Sequence, residues 1–413
     1  MFRSTKHRAG AIAVGLSAVL ALAACSSSDS GDTAATEEAT QAASAEPSAE
    51  SSAEESAAET CELPSEIKLV SVVDLTGPAA FAGTSAEKGE QLAAKEITET
   101  GYLGEGVTLT IETKDSAGSP ETAAADFSAA AADSSIPAVL GPISSGQAVA
   151  VAPLVEKSAV PTVFTQAGSP GVVIGENTFR MTPPMGSFYP SISSLLTERG
   201  VKSMSIMYNN ASPTIIDIAE TTLPALGEEL GFEVLSSTGV AGDTQDLTAP
   251  MKKIANENPD AVALLLIGAQ NPTAMTQLRQ AGIGEDTLVI GNMGAGGGSL
   301  AAAGADGVGM YWPTIFNLAQ TDPSTQEFIA KYEAEYGEAP LLYAPERYDA
   351  VYLIANAIKA ACSTDRDAVR AEMSALVSSG FTGAMGDLSF DGNDLRLPGK
   401  IVMWDGEAEV LVD

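Results

Sequence analysis

From Glu66 onward, short apolar runs alternate with stretches of helical character, and the alternation is run through twice. Residues 66–75 (Ile67, Leu69, Val70, Val72, Val73), 106–115, 136–140 and 160–164 read as strands. Between them lie a helix opened by a Thr84/Glu87 capping box and ending near Gly101, a second over 123–132, and a third over 145–157 interrupted at Pro153. After Phe179-Arg180-Met181-Thr182-Pro183-Pro184 the pattern restarts, with strands over 203–208, 232–236, 261–267 and 287–290. The run Ala261-Val262-Ala263-Leu264-Leu265-Leu266-Ile267 has no polar face, as in a strand covered on both sides. Strands that alternate with helices pair in parallel, because each crossover needs a helix's length of chain. The expectation is an α/β protein of two similar lobes. Helices over 323–336, 345–361 and 365–377, then short strands around Leu388, 401–404 and Val410, imply that the chain crosses back.

The chain has 413 residues and a formal net charge of −33. Phosphate and anionic lipid call for clustered Lys and Arg, so nucleic acid is excluded as a partner. Residues 26–60 are almost entirely Ser, Ala, Thr, Glu and Asp, with no Lys, Arg or aromatic residue. Such a segment cannot bury enough apolar surface to offset its ordering entropy, and is expected to be a flexible acidic tether spanning roughly 30 Å. An interaction tail is the alternative. No stretch of the body is long and apolar enough for a membrane span.

The N-terminus carries Arg3, Lys6 and Arg8, an uncharged stretch over 9–24, and the junction Leu22-Ala23-Ala24-Cys25. A basic start, a short apolar core and small residues at the cut make a secretory signal over 1–24. The junction resembles a bacterial lipobox, which makes Cys25 the lipidated N-terminus of the mature protein; ordinary secretion is the other reading. The expected location is the outer face of the cytoplasmic membrane, reached through the lipid alone. His7, the single histidine, falls within the signal. The mature chain therefore has no histidine for acid–base catalysis or metal ligation, and no metal or cofactor is expected.

In Val139-Leu140-Gly141-Pro142-Ile143-Ser144-Ser145-Gly146 a buried strand ends in a Gly-Pro turn and two serines open a helix. Amides at a helix start beside a hydroxyl suit a carboxylate; equally, the serines are the residue type that caps a helix. The loop Thr165-Gln166-Ala167-Gly168-Ser169 follows the next strand, and two adjacent loops of this kind form the crevice in which open α/β sheets bind ligands. Gly294-Ala295-Gly296-Gly297-Gly298-Ser299 lacks the Lys of a phosphate loop and breaks the dinucleotide pattern at Ser299, so a rim loop is expected. No Gly-x-Ser-x-Gly elbow is present, which weighs against an enzyme.

Several blocks, in order, carry a resemblance to the extracellular solute-binding proteins of branched-chain amino acid (leucine/isoleucine/valine-type) ABC transporters. They are Leu75-Thr76-Gly77-Pro78 before a helix with Gly89 and Ala93-Ala94; Gly141 to Gly146 running into Ala150-Val151-Ala152-Pro153; Phe179-Arg180; Tyr348-Asp349-Ala350-Val351-Tyr352; and Gly383-Ala384-Met385-Gly386 leading to Leu388-Ser389-Phe390-Asp391. The resemblance implies two Rossmann-like lobes joined by three crossings, the type I periplasmic-binding-protein fold. It puts the crossings near Thr182-Pro183, Trp312-Pro313 and 386–389. The N-terminal lobe is then 62–182 plus 315–386, and the C-terminal lobe 183–314 plus 387–413.

The resemblance further implies that Ser145 holds a ligand carboxylate with help from Ala167 and Ser169. Phe81 lies one position from an aromatic of the family, Gln270 replaces one, and Tyr343 retains one. Two departures stand out. Met293 takes the place of the acid that holds an ammonium group, and Pro213-Thr214 that of a Tyr-Gly pair. A keto or aromatic acid, or an amide-bearing solute, is therefore expected ahead of leucine, isoleucine or valine, with Asp74 the candidate substitute acid. The family function is capture of a solute between closing lobes by a monomer and delivery to ABC permease and ATPase subunits. The alternative is the same fold passing occupancy to a signalling receptor. The resemblance also brings Cys61 and Cys362 onto the first lobe, where an oxidising compartment favours a disulfide.

Overall fold

The computed structural model describes residues 61–412. Cys25 and the acidic tether lie outside them. The first lobe opens with β1 (Glu66–Val73), α1 (Ala80–Glu99), β2 (Thr108–Asp115), α2 (Pro120–Ala132), β3 (Val139–Leu140), α3 (Ser145–Ser158), β4 (Thr162–Phe164) and β5 (Thr178–Arg180). These five strands are parallel, in the order β2-β1-β3-β4-β5. The second lobe follows with α4 (Ser193–Glu198), β6 (Ser203–Asn209), α5 (Pro213–Asp217), α6 (Leu223–Leu230), β7 (Glu233–Val240), α7 (Thr248–Glu257), β8 (Ala261–Leu265), α8 (Gln270–Gln280), β9 (Leu288–Ile290) and β10 (Met310–Thr314). Its parallel strands repeat the same order, β7-β6-β8-β9-β10.

The chain then returns. Helices α9 (Pro323–Tyr336), α10 (Tyr343–Ala361) and α11 (Arg366–Ser379) join the apolar core of the first lobe, which includes Phe328, Ala350, Ile354 and Met373. Strands β11 (Phe381–Gly383), β12 (Gly386–Asp391) and β13 (Asp394–Arg396) extend the first sheet, β13 running parallel to β5. Finally β14 (Lys400–Trp404) adds antiparallel to β10, and β15 (Glu409–Val412) antiparallel to β14. The third crossing thus falls between Arg396 and Lys400, later than the 386–389 read from sequence. The reason is pairing: Ser389 to Asp391 bond to β13, and Asp394 lies opposite Arg180, so these residues complete the first sheet.

Two local expectations also change. Helix α1 begins at Ala80, not at the Thr84/Glu87 box, and no side chain caps it. The Gly77 turn (φ 87°) starts the helix early, with the Ala80 amide donating to the Gly77 carbonyl (3.2 Å). Pro153 lies within an unbroken α3, which ends at Ala159 in the left-handed region (φ 53°). Close packing positions α1: a Cβ at Gly89 would fall 2.1 Å from the Ala344 carbonyl oxygen, and one at Gly83 1.8 Å from that of Asp74. Only glycine allows the helix so near the start of α10 and the end of β1. Cys61, just before β1, and Cys362, at the end of α10, form a disulfide across 301 residues.

Candidate functional site

In a sheet ordered 2-1-3-4-5 the strand connections diverge between the first and third strands, and the crevice at their carboxyl ends is the natural place for a ligand. In the first lobe that crevice receives Asp74 after β1, Ser144 and Ser145 after β3, and residues 165–169 after β4. The second lobe offers Pro213-Thr214 after β6 and Gly268 after β8. The lobes touch here: Ser145 Oγ lies 2.5 Å from Thr214 Oγ1, with both residues buried.

The two adjacent serines divide their work. Ser144 Oγ donates to Asp74 Oδ2 (2.7 Å). Asp74 also accepts from Ser116 Oγ (2.7 Å), the Gly118 amide (2.8 Å) and Gln147 Nε2 (2.8 Å). This carboxylate is buried and committed to four donors, so it ties the loops after β1, β2 and β3 together. Neither serine side chain caps α3. Ser145 is the hydroxyl turned to the opposite lobe.

The loop after β4 is held from behind. Gln166 adopts a left-handed conformation (φ 57°), unfavourable for a residue with a side chain. Glu346 on α10 secures it, accepting from the Gln166 amide and from Gln166 Nε2, both at 2.8 Å. Burial pushes the Glu346 carboxyl up to about 8, against the opposing effect of the Gln166 and Thr182 hydrogen bonds. It is therefore mostly uncharged at neutral pH. Arg180 Nη1 donates to the carbonyls of Ala167 (3.0 Å) and Ser169 (2.8 Å), and its Nε pairs with Asp394 (2.7 Å). Ser169 is buried, and among the described residues its Oγ has no hydrogen-bond partner.

A fully buried ion pair lies below the Gly141 turn. Arg347 Nε meets Glu90 Oε2 at 2.8 Å, while its Nη1 donates to the Gly141 carbonyl (2.8 Å) and its Nη2 to Ser71 Oγ (2.9 Å). Glu90, Arg347 and Glu346 escaped the reading of the sequence, as did the contacts of Arg180 and Thr214. Single acids and bases scattered across 257 residues carry no local pattern; Arg180 was marked only within a family block and Thr214 only as a departure from the family.

The aromatic wall is a pair. Phe81, half-exposed on the first turn of α1, packs edge-on against the buried Tyr343 ring, with centroids 5.7 Å apart. A Cβ at Gly268 would fall 3.8 Å from Phe81 Cε1, so the second lobe approaches this wall through bare backbone. Gln270, expected at the ligand, is occupied elsewhere: it accepts from Asn209 (2.9 Å) and donates to the Ala241 and Thr244 carbonyls (3.0 and 3.1 Å). It is buried, and the structure does not bring its amide to the other predicted residues. Met293 is buried in the same apolar cluster as Tyr343, bridging the lobes. The glycine-rich segment after it presents the Gly297 and Gly298 amides (2.5 and 3.2 Å) to the chain's own Glu409 carboxylate. Ser145 thus meets the facing lobe at Thr214, Ala167 and Ser169 follow the adjacent strand, Phe81 pairs with Tyr343, and Met293 shares the apolar cluster of Tyr343. Among the described residues no group of His, Cys, Asp and Glu is placed to hold a metal ion, and no helix is long and apolar enough to cross a membrane.

This architecture has clear counterparts. A family model described as periplasmic binding protein matches residues 66–405. The chain is 24% identical over 358 residues to Leu/Ile/Val-binding protein homolog 7 of Brucella abortus, covering 80% of this chain and 86% of the relative. Among solved structures it superposes on the leucine-binding protein LivK of Thermotoga maritima with a TM-score of 0.76 at 22% identity, over 84% of this chain and 98% of the other. It superposes on an ABC-transporter solute-binding protein of R. palustris in complex with benzoate with a TM-score of 0.74 at 19% identity, over 84% and 95%. The chain belongs to the periplasmic binding protein family, and within it resembles the substrate-binding proteins of branched-chain amino acid ABC transporters.

Proposed function

We propose that the protein captures a small carboxylate lacking an α-ammonium group, a keto acid or an aromatic acid, and hands it to an ABC permease from a lipid anchor at Cys25. In this reading Ser145 Oγ and Ser169 Oγ receive the carboxylate, Thr214 Oγ1 closes on it from the second lobe, and Phe81 with Tyr343 covers the apolar body. The choice of ligand rests on Met293, a buried apolar side chain at the position where the family resemblance expects an acid to meet an ammonium. The nearby acids do not replace it. Asp74 is committed to four donors, and Glu346 lies behind Gln166, mostly uncharged. An unpaired ammonium buried here would cost several kcal/mol. A fold of this kind holds benzoate in the R. palustris protein, so the lobes accommodate an acid of that class there.

Calorimetry with leucine and its keto acid tests this directly. The keto acid should bind more tightly, by at least about tenfold if only a fraction of the ammonium penalty is felt. Micromolar leucine binding with the keto acid silent overturns the proposal. Delivery is checked separately, by loss of uptake of the bound acid in a deletion strain and its restoration by the chain with Cys25 but not by Cys25→Ser.

A further inference from the structure

Two places where the second lobe departs from the family resemblance, Gln270 and Pro213-Thr214, meet at a single residue. Asn209 ends β6; its Nδ2 donates to Gln270 Oε1 (2.9 Å) and its Oδ1 accepts from the Ala211 amide (2.9 Å). The second of these bonds is an Asx turn, which sets the direction in which the chain leaves the strand. Thr214 follows in the first turn of α5, and its Oγ1 meets Ser145 across the crevice at 2.5 Å.

The orientation of each amide follows from the one before it. Gln270 Nε2 donates to the carbonyls of Ala241 (3.0 Å) and Thr244 (3.1 Å), which leaves Oε1 to face Asn209. An acceptor there draws Asn209 Nδ2, so that Oδ1 is left for Ala211. Both side chains are only 2% exposed, so water does not stand in for a lost partner. The loop after β7 closes over them: a Cβ at Gly242 would fall 3.3 Å from Asn209 Nδ2. The entry to α5 has no comparable support of its own. Ser212 does not cap the helix with its side chain, and Pro213 has no amide to bond. Asp74 does the matching work in the first lobe, where it ties the loops after β1, β2 and β3.

We propose that Gln270 and Asn209 are a positioning pair: by fixing the turn into α5 they hold Thr214 Oγ1 where the second lobe closes on a bound acid. The inference rests on the reading of Thr214 as a donor to the ligand carboxylate. Gln270 then acts on binding without touching the ligand. A buried polar cluster serving stability alone would tie the ends of β6, β7 and β8 together whatever side chain stood at position 214.

The test is a double-mutant cycle on the full chain, read by calorimetry with the keto acid of leucine and with benzoate, and by melting temperature. Thr214→Val should weaken binding by at least about tenfold, the lower value of a hydrogen bond to a charged group. Gln270→Met and Asn209→Ala should each weaken it roughly three- to tenfold alone, and by less than about twofold when combined with Thr214→Val. Asn209→Ala leaves the bonds from Gln270 to the Ala241 and Thr244 carbonyls in place, and keeps the test open if Gln270→Met fails to fold. Wild-type affinity in either variant, with only the melting temperature lowered, or the same loss with and without Thr214→Val, would overturn the inference and leave the reading of the crevice intact. Wild-type affinity in Thr214→Val, or binding of neither acid by the wild-type chain, would overturn that reading and the inference with it.

Discussion

Ser144 and Ser145 are neighbours of identical chemistry, yet one is committed to Asp74 and the other to the facing lobe. The difference is one of backbone position: Ser144 is the extended residue before α3, whereas Ser145 is the first residue of the helix. If Ser145 meets the ligand, Ser145→Ala should weaken binding roughly 10- to 150-fold, the value of a hydrogen bond to a charged group, with little change in melting temperature. Affinity within about twofold of wild type would reduce Ser145 to a partner of Thr214 alone. Glu346 and Asp349 give a pH signature. Burial pushes them up to about 8 and about 7 in the folded state, from ordinary values of 4.5 and 3.8. Between those limits the folded chain holds protons that the unfolded chain has released. Stability is therefore greatest below about pH 4 as far as these two groups are concerned, and is lost as pH rises toward about 8. Denaturant midpoints measured across this range should fall, and Glu346→Gln should flatten the decline at its upper end.

At the scale of elements, α10 concentrates the argument. Its first two turns supply Tyr343 to the aromatic wall, Glu346 to the Gln166 loop, Arg347 to the Gly141 turn and Asp349 to the 384–385 turn. The apolar pattern of 345–361 made the helix legible, and Pro323–Tyr336 was legible for the same reason. What the charged residues of α10 touch was not, because Glu90 and Gly141 lie more than 200 residues away in sequence. Arg347→Met should destabilise the first lobe by about 3–5 kcal/mol, since it leaves Glu90 buried without a partner. Replacing Glu90 by Gln in the same chain should recover much of that loss. Chemical denaturation of the two variants measures the difference; a single variant as stable as wild type would show the pair contributes nothing.

For the whole molecule, the disulfide ties the start of β1 to the end of α10 and so closes a loop of nearly the entire body. In the chain-entropy account such a loop is worth on the order of 5 kcal/mol. Cys61→Ser with Cys362→Ser should lower the denaturation midpoint correspondingly without altering ligand affinity, and an unchanged midpoint would show that the unfolded chain is little constrained by the bridge. Sequence alone determined the α/β class, the doubling of the pattern and the small polar loops after β3 and β4. These follow from apolar periodicity and turn chemistry, which act over a few residues. Tertiary structure alone decided the late third crossing, the start of α1 at a glycine turn, the withdrawal of Gln270 from the crevice and the parts played by Asp74, Glu346 and Thr214. Those outcomes depend on strand pairing, on how closely α1 can approach a neighbouring backbone, and on which buried polar atoms find partners. Each is settled between residues distant in the chain.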